Sequence, residues 1–116
     1  PAFDKLDEIK DDTIVVFEMS AHQLEYLHHS PKVAVLLNIF PEHLDHFKTF
    51  DAYKAAKLNI TRFLREDDLL VASENLMEAF AELKPEVHYY EKGEDIAPET
   101  ILLKGSHNIN NVKAAI

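Results

Sequence analysis

A chain of 116 residues is long enough for one domain with a real core and too short for two. Hydrophobic residues make up 47% and charged residues 28%, an ordinary globular balance, and the absence of cysteine excludes disulfides, zinc–thiolate sites and thiol chemistry. A net charge of −9 speaks against nucleic acid or an anionic membrane as partner, and no apolar run reaches the roughly 20 residues that span a bilayer.

The chain opens on Pro1-Ala2-Phe3-Asp4-Lys5, which lacks the apolar core of a signal peptide. Thr13-Ile14-Val15-Val16-Phe17, bounded by Asp11-Asp12, is β-branched and aromatic and predicts a strand buried on both faces. Glu18-Met19-Ser20 stands at its carboxyl end, where Ser20 can cap a short helix over 21–27 that Ser30-Pro31 breaks. Residues 33–39 are continuously apolar and predict a second strand. Thr49 or Asp51 opens a helix whose Phe50, Tyr53, Ala56, Leu58, Ile60, Phe63 and Leu64 approximate a helical stripe, ended by Asp67-Asp68. Leu69-Leu70-Val71-Ala72 predicts a third strand, 74–83 a helix stopped by Pro85, and Val87-His88-Tyr89-Tyr90 a short fourth strand. A polar loop over 91–99 and a small extended segment at 101–103 lead to a last helix capped by Ser106. Strands alternating with helices imply an α/β architecture, a mostly parallel sheet with flanking helices. Residues 110–116 read as a helix without cap or breaker, so 1–116 is expected to be a single partial domain of a larger protein.

Chemistry-bearing residues gather after the first two predicted strands, where α/β proteins place ligands. Glu18 can bind Mg2+ directly or through water, or can be a rim charge. His43, between Glu42 and Asp45, can orient a phosphate or act as an acid, or can be a solvated loop residue. Imidazole is an uncommon Mg2+ ligand. The adjacent pair His28-His29 faces two directions on a helix and reads as surface, and His22, His46 and His88 have no evident partners. Lys57 either extends to water or is carried inward by a helix kept slim by Ala55 and Ala56. A buried amine loses its proton more readily, and a neutral amine can add carbon dioxide to become a carbamate, an oxygen donor for metal. Asn108 and Asn111, after Gly105, offer paired donor and acceptor atoms for a purine edge, or are plain loop amides. Only two glycines occur, neither in a phosphate-binding loop.

Three blocks in order carry a resemblance. Glu18-Met19-Ser20-Ala21-His22-Gln23-Leu24 is similar to a Glu-x-Ser-Ser-x-Gln-Leu block. Residues from Asn38 through Pro41-Glu42-His43-Leu44-Asp45, with Tyr53-x-x-Ala56-Lys57 downstream, resemble Asn-x-x-x-Asp-His-Leu-Asp and its lysine. Gly105-x-His107-Asn108-x-x-Asn111-x-x-Ala114-Ala115 resembles an adenine-contacting block. Together they resemble the central, ATP-binding domain of the Mur ligases, a P-loop NTPase-like fold, and the Gln23-Leu24 block looks most like the members that add D-glutamate. The resemblance implies a cytoplasmic, ATP- and Mg2+-dependent ligase that activates a UDP-muramoyl precursor as an acyl phosphate and joins an amino acid to it. By the same resemblance Glu18 binds one Mg2+; His43 and a carbamylated Lys57 bind the second and are the catalytic residues. Asn108 and Asn111 contact adenine with His107 beside them, and Ser20 and Gln23 lie near the muramoyl substrate. The family's glycine-rich phosphate loop and flanking domains are not found in this sequence, so the 116-residue piece alone is expected to be inactive. Glu42 and Ala21 are mild departures from the pattern. A non-catalytic module on the same scaffold, or a ligase like the folylpolyglutamate synthetases, are the alternative readings.

Overall fold

The computed structural model describes the backbone of residues 2–90 and 106–115 and the side chains of 4–90 and 108–115. Three strands, β1 (Val33–Leu36), β2 (Leu69–Ser73) and β3 (Glu86–Tyr90), form a sheet in that spatial order. Both pairs are parallel, with Val33 opposite Leu69 and Leu69 opposite Glu86. Parallel neighbours cannot be joined by a tight turn, so the chain crosses over between them. From β1 to β2 it passes through α2 (Leu44–Phe47) and α3 (Phe50–Leu58). From β2 to β3 it passes through a 3-10 helix, Glu74–Phe80. A short helix, α1 (Ala21–Leu24), precedes β1, and α4 (Ser106–Lys113) ends the described residues. The α/β expectation with a parallel sheet holds.

Two hydrophobic clusters carry the fold. Ala34, Leu36, Leu70 and Ala72 of the sheet pack with Leu76 and Phe80. Ala21, Phe47, Tyr53 and Ala56 join α1, α2 and α3 in a second cluster. Ile39, just beyond β1, packs against both, so the helical cluster is registered on the sheet through one side chain. Polar ties reinforce that registration. The Asn59 amide donates to the Leu24 and Leu27 carbonyls at 2.7 and 2.8 Å, and Phe63 N donates to Ser30 Oγ at 3.0 Å. At the entry to the sheet, Lys32 pairs with Asp67 (2.5 Å) and Asp68 (2.9 Å), while Leu69 N donates to the Lys32 carbonyl.

Several expectations need correction. The run 13–17 joins no strand among the described residues: Ile14 is 89% and Val16 94% exposed. Apolar composition makes a segment fit for a sheet, but a strand exists only where a neighbour completes its hydrogen bonds. β1 is shorter than expected and alternates, with Ala34 and Leu36 buried and Val33 and Val35 exposed. The α3 stripe stops at Leu58, continues as a 3-10 turn at Asn59–Thr61 and then leaves helical geometry. The segment after β2 is a 3-10 helix, and another 3-10 helix, Ala2–Glu8, was not expected at all. The loop after β1 contains α2, unforeseen because four residues are too few for a periodic signal. The expected loop at 91–99, the extended segment at 101–103, Gly105 and the Ser106 side chain expected to cap the last helix lie outside the described residues.

Candidate functional site

The site is built where three short helices meet beyond the sheet. α1 begins under a complete capping box: Gln23 N donates to Ser20 Oγ at 3.4 Å, and Ser20 N donates to Gln23 Oε1 at 2.8 Å. Ser20 and Gln23 are thus held together, with the Ser20 hydroxyl donating to the same Oε1 at 3.0 Å. The box spends the Gln23 carbonyl oxygen and leaves its amide nitrogen for another acceptor. α3 is capped by Thr49, whose Oγ1 accepts from Ala52 N at 3.1 Å. This sets the phase that buries Tyr53 and Ala56 against Ala21 and Phe47.

Tyr53 is the hub. Only 1% of it is exposed. The His43 ring lies on one side, 6.1 Å between centroids, and the Lys57 ammonium stands 5.6 Å from the Tyr53 centroid. Two residues 14 positions apart in sequence thereby converge on one aromatic ring. Of the two readings open for Lys57, the inward one fits better: it is half-buried over Tyr53, where the negative ring face attracts a cation. The Tyr53 hydroxyl points to Glu42 Oε2 at 3.5 Å, a weak bond. Burial first, and the Glu42 carboxylate second, push the Tyr53 phenol upward, so it remains a neutral donor.

His43 has a left-handed backbone, φ 52° and ψ 33°, and starts α2 without a side-chain cap. Non-glycine residues pay for that conformation. Here it turns the imidazole back over the cluster rather than letting it extend along the chain. Lys48, at φ 64°, closes the same helix, and its ammonium holds the Asp45 carbonyl at 2.5 Å.

Histidines that had no evident partner find them here. His22 sits 5.1 Å from His43, 4.4 Å from His46 and 5.1 Å from Phe47, centroid to centroid. His46 Nε2 lies 3.2 Å from Glu25 Oε2, which ties α2 to the end of α1. His46 follows His43 by three positions, the spacing that places two residues on one helical face, and that was the available signal. His22 was hidden because its neighbours come from the loop beyond β1. His28 and His29 are exposed, as expected, and His88 pairs with Glu86 at 2.7 Å.

The remaining site residues are not joined to this group by any contact described. Glu18 is exposed at the end of the extended run, and its carboxylate has no hydrogen-bond or ion-pair partner among the described residues. Asn108 and Asn111 lie one turn apart on α4, Asn111 Nδ2 donating to Asn108 Oδ1 at 3.4 Å, while the His107 side chain is outside the described residues. Among the described residues no three His, Cys, Asp or Glu side chains are arranged to hold a metal ion. Mg2+ needs no such cage, since it keeps several waters and takes one or two carboxylates plus phosphate oxygens. The unpartnered Glu18 carboxylate has the chemistry for that.

Comparison with known proteins agrees with this architecture. The family model described as the Mur ligase middle domain matches residues 3–99. The UDP-N-acetylmuramoylalanine--D-glutamate ligase of Acetivibrio thermocellus is 33% identical over 141 residues, covering 99% of this chain and 30% of the relative. That of Clostridium tetani is 34% identical over 137 residues, with 99% and 30% covered, and that of Koribacter versatilis is 32% identical over 143 residues, with 100% and 32% covered. The chain spans about 30% of the length of the curated relatives it matches. These alignments are longer than the 116-residue chain, so the relatives carry additional residues inside the matched stretch. With a family model over most of its length and relatives above 30% identity from end to end, the chain belongs to the Mur ligase family as its middle domain.

Proposed function

We propose that this domain serves an ATP-dependent amide ligase of peptidoglycan precursor synthesis, one that adds D-glutamate to UDP-N-acetylmuramoyl-L-alanine. The observation that carries the proposal is the convergence of His43 and Lys57 on the Tyr53 ring, beyond the carboxyl end of a parallel strand. The names of the relatives supply the substrate pair. Such a reaction belongs to the cytoplasm, where nucleotide-linked precursors and ATP are found. No helix among the described residues is long and apolar enough to cross a membrane.

In this reading a substrate carboxylate oxygen attacks the γ-phosphorus of ATP and ADP leaves. The amine nitrogen of the incoming amino acid then attacks the acyl carbon, and phosphate leaves. Glu18 would hold one Mg2+, and His43 with a carbamylated Lys57 a second; the ions supply charge neutralisation on the phosphate oxygens. The Lys57 ammonium reaches the carbamate by giving one proton to water, attacking the carbon of CO2 with the freed nitrogen lone pair, and releasing a second proton from that nitrogen to water. Tyr53 orients both residues, packing behind His43 and under Lys57. Ser20 and the free amide nitrogen of Gln23 would face the muramoyl substrate, and Asn108, Asn111 and His107 the adenine.

The test is Lys57→Ala in the full-length polypeptide that carries this domain, assayed for phosphate release with the muramoyl-alanine precursor and D-glutamate. The expected result is loss of turnover by at least about a hundredfold and partial rescue by short carboxylic acids. Undiminished turnover would refute the role of Lys57. Turnover with a folate and L-glutamate but not with the muramoyl precursor would refute the substrate assignment.

A further inference from the structure

We infer that the domain holds a second small-molecule site, adjoining the Tyr53 group and sharing Ile39 with its packing, that takes a monoanionic carboxylate with a flat or apolar body. A cavity of 210 Å3 opens at the carboxyl ends of β1 and β2, lined among others by Asn38, Phe40, Phe50, Lys54, Ser73 and Asn75. That edge of a parallel sheet is where such folds receive ligands. Its residues come from four separate places: the segment after β1, the end of β2, the start of the 3-10 helix that follows, and α3 at Phe50 and Lys54.

Each contributes something that a carboxylate needs. Lys54 is half-buried and has no carboxylate partner among the described residues, in a chain where 21 acidic residues face 12 basic ones. Lys5, Lys32 and Lys84 all pair with acids, so the unpaired state of Lys54 is not for want of anions. Asn38 and Asn75 bring amides that can donate to carboxylate oxygens. Ser73, at the floor, is fully buried, and its hydroxyl has no hydrogen-bond partner, an expensive state for a polar group. The Tyr90 phenol stands beside it without meeting hydrogen-bond geometry, and gives its own proton to the Leu37 carbonyl. Phe40 and Phe50, both partly exposed, supply apolar walls.

Charge decides between carboxylate and phosphate. One ammonium in a molecule of net charge −9 balances one negative charge and leaves a dianion uncompensated. Two amides and an ammonium also match the two oxygens of a planar carboxylate. Asn38 belongs to a sequence block whose His43 has an assigned part, whereas Asn38 itself has none; this site gives it one.

The test uses the full 116-residue chain and needs no turnover, so its outcome is separable from that of the ligase assay. Benzoate, benzamide and inorganic phosphate are titrated while amide and aromatic NMR signals are followed. Benzoate is expected to give saturable shifts at Phe40, Phe50, Lys54 and the Asn38 and Asn75 side chains below roughly 20 mM, the range for a ligand of that size. Benzamide, with the same ring and no charge, should bind about tenfold more weakly. Lys54→Gln should abolish the preference for benzoate over benzamide, and Lys54→Arg should restore it with an unchanged fold by the same spectra. Absence of saturable shifts, equal binding of the two probes, or an unchanged preference in Lys54→Gln would overturn the site. Phosphate moving the same signals at lower concentration than benzoate would overturn the carboxylate assignment.

Discussion

Replacing Tyr53 separates what its ring does from what its hydroxyl does. The hydroxyl has one acceptor, Glu42 at 3.5 Å, at the outer limit of a hydrogen bond. Tyr53→Phe should therefore cost less than about 1 kcal/mol. The ring is buried against Phe47, Ala21 and Ala56 with Ile39 nearby, and Tyr53→Ala should cost about 3–5 kcal/mol through lost transfer energy and the cavity left behind. A chain of this size has a total stability of about 6–17 kcal/mol at typical values per residue, so the Ala variant removes a large share. With a urea slope of roughly 1–1.5 kcal/mol per molar, its midpoint should fall by about 2–5 M, while that of Tyr53→Phe moves by less than about 1 M. Urea unfolding followed by far-ultraviolet circular dichroism reads both. Equal losses in the two variants would show that the hydroxyl and Glu42, not the ring, hold the cluster. A loss below about 1 kcal/mol in Tyr53→Ala would refute the hub altogether.

Three further outcomes are expected. Ser20→Ala removes the capping box of α1 and should cost about 0.5–2 kcal/mol in urea unfolding; a neutral result would mean that α1 is held by Asn59 alone. Leu70→Ala, at a fully buried position of the central strand, should cost about 2–5 kcal/mol, against little change for the exposed Val33→Thr. The third concerns pH: Asp67 is held below the ordinary carboxylate range by its hydrogen bond to Lys32, and Asp68 first by the Arg65 backbone N–H and then by Lys32. Depressed acids stabilise above their unfolded pKa of about 3.9 and lose that contribution as pH falls through the folded value. Lys32, raised by the same partners, contributes below its unfolded pKa of about 10.4 and loses that as pH rises through its folded value. Urea midpoints across pH should show both losses. Lys32→Met should remove the alkaline limb and flatten the acid one, with Asp68 keeping the part that rests on the Arg65 N–H; an unchanged profile would dismiss the pair.

The parts of the fold that could be read in sequence are those where local chemistry and tertiary demand coincide. Ser20 caps the helix it was expected to cap, and of the two candidates Thr49 and Asp51 it is Thr49 that caps α3, because a side-chain oxygen one position before a helix acts without distant help. The runs at Val33, Leu69 and Val87 are strands because each has a neighbour to pair with. The run at 13–17 has the same composition and no such neighbour among the described residues, a difference that composition cannot express. At the candidate site, His43 and Lys57 were singled out through their blocks, and the structure brings both to the Tyr53 ring. The Tyr53 ring that both approach, the left-handed backbone at His43 and the apposition of His22 with His46 depend on how α1, α2 and α3 dock, and no local pattern encodes that docking.

The exposed run at 13–17 also bears on how the molecule is handled. Five consecutive residues of high β-propensity with no charge and no proline make a segment prone to stack with its own copies. Asp11 and Asp12 before it and Glu18 after it are gatekeepers, because stacked copies would bring rows of like charges into register. That protection is electrostatic, so it fails where carboxylates are neutralised. Near the isoelectric point of about 5.1 the whole chain loses its mutual repulsion. Fibril formation should therefore set in first on acidification, and a divalent cation bound to the Glu18 carboxylate would lift one of the three gatekeepers.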